Sequence, residues 1–119
     1  MADYVKSSKN DVEKTARILV VEWEYDYDKE STWFDSDQGT ERYWIEAGTS
    51  FPLPHMIKKR CEILSVIEEG AHLTVELKLD YQTVTVRNDG ERVPCHVDED
   101  YMAAGDSVST HLALQFYIE

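Results

Sequence analysis

The sequence predicts an all-β protein: a single-domain antiparallel β-sandwich or barrel of about six or seven strands joined by short turns. Three observations carry this expectation. Apolar and polar residues alternate through most hydrophobic stretches, glycine-containing turn signals separate them, and no stretch commits to a long helix. At 119 residues the chain is long enough to bury a core without a metal or a disulfide.

Residues 1–16 are polar and without period, so they read as an irregular arm preceding a β domain over 17–119. The first strand begins with the continuous apolar run Ile18 to Val21, which suits burial on both sides. It then alternates, with Val21, Trp23, Tyr25 and Tyr27 on one face and Glu22, Glu24, Asp26 and Asp28 on the other. Polar residues around Gly39 predict a turn, and Arg42 to Phe51 predicts a second strand, stopped by Pro52 and Pro54.

Residues 56–69 fit either a helix ending at Gly70 or the first arm of a hairpin. The clean alternation from His72 to Leu79 needs a neighbour and favours the hairpin, with Glu68-Glu69-Gly70 as its loop. Asn88-Asp89-Gly90 predicts a second hairpin between Val84–Val86 and Val93–Val97. The apolar parity changes between Leu79 and Val84, which predicts a bulge or corner near residues 80–83. Asp98 to Asp106 reads as a connection. The final stretch from Val108 to Ile118 alternates to the end and is apolar enough to require a neighbour on each side.

The formal charge is −12, from 24 acidic and 12 basic residues. Such a surface opposes nucleic acid and anionic lipid and leaves basic proteins or cations as partners. No signal-peptide pattern and no long apolar run occurs, so the expected setting is soluble and cytoplasmic, with no membrane contact. Cys61 and Cys95 have no metal-ligand spacing and read as reduced core residues.

No residues assemble into a recognisable catalytic motif, and no cofactor is expected. The window from Asp26 to Asp37 resembles a calcium loop in its first acidic positions, but Ser31 stands where the turn glycine belongs. His72, His96 and His111 share the polar parity of strands. They would form a metal site only if strand order brought them together. Cys95 and His96 are adjacent, so a regular strand points them to opposite faces.

What remains is a surface. Glu22, Glu24, Asp26 and Asp28 form a row of carboxylates about 6.8 Å apart along one strand face, continuing toward Trp33, Phe34 and Trp44. The expectation is a non-catalytic, acidic protein-interaction module, its carboxylates steering a basic protein and its aromatic residues anchoring it. The alternatives are a small-molecule or carbohydrate site lined by Trp23, Tyr25, Tyr43 and Trp44, and a metal-dependent enzyme using the three histidines. Cross-strand pairing with Lys58, Lys59, Arg60, Lys78, Arg87 or Arg92 would neutralise the row without any function.

Overall fold

The computed structural model describes residues 17–29, 34–56, 58–103 and 106–119. They form eight strands: β1 (Ile18–Lys29), β2 (Phe34–Trp44), β3 (Ser50–Pro52), β4 (Arg60–Glu69), β5 (His72–Leu79), β6 (Gln82–Arg87), β7 (Val93–Ala103) and β8 (Asp106–Ile118). Two antiparallel four-stranded sheets result, ordered β2-β1-β8-β7 and β3-β4-β5-β6. They face each other across one hydrophobic cluster, as in a β-sandwich. No helix among the described residues is long and apolar enough to cross a membrane.

The alternating pattern builds this core directly. Leu19, Val21 and Trp23 of β1 and Leu112, Leu114, Phe116 and Ile118 of β8 are buried from one sheet. Cys61 and Ile63 of β4 and Leu73, Val75, Leu77 and Leu79 of β5 are buried from the other. Val20 has the outward parity and is nevertheless fully buried, in register between Arg42 and Tyr117. β8 lies between β1 and β7, so this apolar final strand has both edges paired.

Several local expectations change. Residues 60–69 are strand, as the hairpin reading expects, but the β4–β5 turn is the two-residue Gly70-Ala71 rather than Glu68-Glu69-Gly70, since Glu69 pairs with His72 and Gly70 has φ 63°. A register irregularity between Ile63 and Ser65 brings Val66 opposite Val75. The parity change after Leu79 is no corner. Leu79 pairs with Gln82, so odd residues of β5 face even residues of β6 within one hairpin, turned at Asp80 with φ 47°.

The sheet change comes one loop later, at Asn88-Asp89-Gly90. β6 and β7 belong to different sheets, so these residues form a crossover rather than a hairpin. Asn88 ties it down: its Oδ1 accepts from Leu73 N at 3.0 Å and its Nδ2 donates to Ala71 O at 2.9 Å. Of the stretch Asp98 to Asp106, expected as a connection, residues 98–103 instead continue β7 and Asp106 opens β8, the two strands pairing as far as Ala103 and Asp106.

The second strand is also displaced from its expected place. β2 ends at Trp44, and Gly39 sits in its middle, paired with Trp23. The turn signal at Gly39 misleads because the glycine serves packing: an added Cβ would lie 2.7 Å from Trp23 Cζ2.

Candidate functional site

Antiparallel register assembles the outer face of the first sheet in rows. Glu22 lies between Thr40 and Gln115, Glu24 between Gln38 and Ala113, and Asp26 between Ser36 and His111. β7 extends the rows with Pro94 opposite Gln115, His96 opposite Ala113 and Asp98 opposite His111. The single methyl of Ala113, flanked by the longer side chains of Glu24 and His96, helps to leave a depression of about 600 Å³ along this face. Glu22, Glu24, Gln38 and Thr40 line its β1–β2 side, and Pro94 and His96 its β7 side.

Charge is unevenly compensated along the row. Arg92 Nη1 donates to Glu22 Oε1 at 2.7 Å while its guanidinium stacks 4.0 Å over the Tyr117 ring. Tyr117 Oη donates to Glu22 Oε2 at 3.4 Å. The guanidinium is therefore held by a carboxylate and an aromatic face together. His111 Nδ1 lies 2.7 Å from Asp98 Oδ1, next to Asp26 in the register. Glu24, between these two clusters, forms no ion pair among the described residues.

Of the residues singled out from sequence, Glu22, Glu24 and Asp26 thus share one face and border its depression or the adjoining surface. Trp44 has the same parity and is 54% exposed. It stands six positions along β2 from Gln38, roughly 20 Å from Glu24, and so lies beyond the depression. Asp28 and Phe34 are paired backbone positions at the far end of β1 and β2; their side chains, and all of Trp33, lie outside the described residues. Of the six cations considered as cross-strand partners, Arg92 alone pairs with the row among the described residues.

The other two groupings do not assemble. Trp23 is buried, Tyr43 stacks on Phe51 at 4.0 Å on the core side, and Trp44 points to the opposite parity, so these aromatics line no common pocket. His96 and His111 share the outer face of the first sheet, whereas His72 is on the second. No group of three or more metal-ligating side chains is present among the described residues.

His55, which no sequence pattern implicates, joins a cluster on the inner side. It occupies a left-handed backbone position, φ 61°, in the β3–β4 loop. Its ring stacks on Tyr25 at 4.3 Å and meets Trp23 edge-on at 5.3 Å, and its Nε2 is 3.1 Å from Asp37 Oδ2. This loop therefore closes the β1–β2 end of the core. Only a long-range contact brings His55 there, which local sequence patterns do not encode. The chain matches no protein-family model and no curated protein.

Proposed function

We propose that the protein is a non-catalytic interaction module that presents the outer face of the β2-β1-β8-β7 sheet to a basic protein partner. The observation that carries the reading is Glu24: an exposed carboxylate without an ion-pair partner among the described residues, beside a depression floored in part by Ala113. A lysine or arginine stem could lie along that floor with its charged end at Glu24, burying methylenes while pairing the charge. Glu22 and Asp26, already engaged or flanked by Arg92 and His111, extend the negative field that steers approach. Anchoring by Trp33 or Phe34 belongs to this reading on sequence grounds. The reading places the protein in the cytoplasm, supported by two free cysteines, both buried.

Affinity capture with the full chain as bait, followed by mass spectrometry, tests the reading. The wild-type chain is expected to recover a basic protein whose association rate falls at least about tenfold between low and high salt. Glu24→Lys is expected to weaken that complex about tenfold or more, with the fold intact because the position is exposed. Equal recovery by wild type and by the Glu24→Lys, Asp26→Lys double variant would sink the assignment.

A further inference from the structure

A second depression, of about 350 Å³, lies on the other sheet, where the loop before β4 meets β3 and β5. Lys58, Lys59, Arg60 and Lys78 gather around it, against the two carboxylates of Glu62 and Asp80. In a chain whose acidic residues outnumber its basic ones two to one, a local excess of positive charge is unexpected from composition alone. We propose that this depression binds a compact oxyanion, of the chemistry of inorganic phosphate or the terminal phosphate of a monoester.

The arrangement of donors supports that ligand. Arg60 is fixed by Ser50, donating from Nε to Ser50 Oγ at 3.0 Å and from Nη2 to the Ser50 carbonyl at 3.2 Å. Its remaining N–H groups are left for a further acceptor, and a guanidinium held in place is a ready-made oxyanion donor. Lys59 is committed to Asp80 at 2.9 Å. Lys58 and Lys78 form no ion pair among the described residues, although Glu62 lies directly across from Lys78 in the register.

The backbone holds this pattern open. Lys58 has φ 66°, a left-handed conformation that costs an ordinary side chain energy. The loop is pinned beside it by Leu53 N donating to Lys59 O at 3.0 Å and Lys59 N donating to Met56 O at 3.2 Å. Gly48 forms part of the wall and has open space where a side chain would be. Charge also limits ligand size. A compact anion stays within the basic patch, whereas a nucleic-acid strand would run onto a surface of net charge −12.

The test is a titration of the isotope-labelled full chain followed by amide chemical shifts, with sodium phosphate, phosphoserine and sodium chloride at matched ionic strength. Saturable shifts at Gly48, Ser50, Arg60 and Lys78 with both phosphates, absent with chloride, are the expected result. Equal affinity for the two identifies the free oxyanion as sufficient, and tighter binding of phosphoserine identifies a phosphomonoester. Lys58→Ala with Lys78→Ala, both at exposed positions, is expected to weaken binding about tenfold or more while leaving the remaining spectrum unchanged. Shifts that fail to saturate, appear equally with chloride or survive the double variant would overturn the site. Tighter binding of a short single-stranded DNA than of either phosphate would overturn the compact ligand.

Discussion

Replacing Gly39 by alanine is expected to lower folding stability by about 1–3 kcal/mol, although alanine is ordinarily the better residue inside a strand. The new Cβ would lie 2.7 Å from Cζ2 and 2.9 Å from Cε2 of Trp23. That indole is 9% exposed and has the His55 ring against it, so it has little room to withdraw. Relief then requires β2 to move away from β1. Because Gln38 and Thr40 flank Gly39 and line the acidic depression, the same movement would reshape the surface beside Glu24. Urea denaturation followed by circular dichroism measures the stability change. In a Trp23→Leu background the cost is expected to fall below about 0.5 kcal/mol, because the conflicting ring atoms are gone. A stabilising Gly39→Ala would show that Trp23 does not occupy this place.

Gly39 also shows where sequence patterns stop being informative. Alternation identifies β1 and β8 because burial on one face imposes it residue by residue, and Leu19, Val21, Leu112 and Leu114 are all buried as that alternation requires. A glycine among polar residues, in contrast, has the same local appearance in a turn as beneath a tryptophan. Asn88-Asp89-Gly90 is ambiguous for a similar reason: the chemistry that turns a chain within a sheet also serves to pass it between sheets. The acidic row was legible as a row, since its spacing is local. Which of the six candidate cations compensates it was not, because Arg92 reaches Glu22 only through the order β1-β8-β7. The basic residues nearest one another in sequence, Lys58 to Arg60, belong to the opposite sheet's surface and do not offset it.

The second large effect is expected in alkali. Burial first, and the neighbouring Cys95 second, push the Cys61 thiol from its ordinary value of 9.0 up to about 12; burial raises Cys95 as well. The unfolded chain therefore releases the Cys61 proton from about pH 9, while the folded chain retains it until about pH 12. Between those limits the unfolded state binds fewer protons, so stability is fully present below the window and falls by about 1.4 kcal/mol per pH unit within it. Other groups titrate there too, so the informative quantity is a difference between variants. Cys61→Ala is expected to be less stable near pH 8, having lost buried volume, yet to lose about 2 kcal/mol less than wild type on going to about pH 10.5. Reductant keeps both thiols free during the urea titrations. Tyr43→Phe is a control for a tyrosine raised in the same direction, by burial and then by Glu41. Parallel stability curves for wild type and Cys61→Ala would show that the thiol is not sealed in the core. A divergence would show Cys61 acting as an apolar core side chain, from the sheet opposite Cys95, whose ionisation the folded state resists.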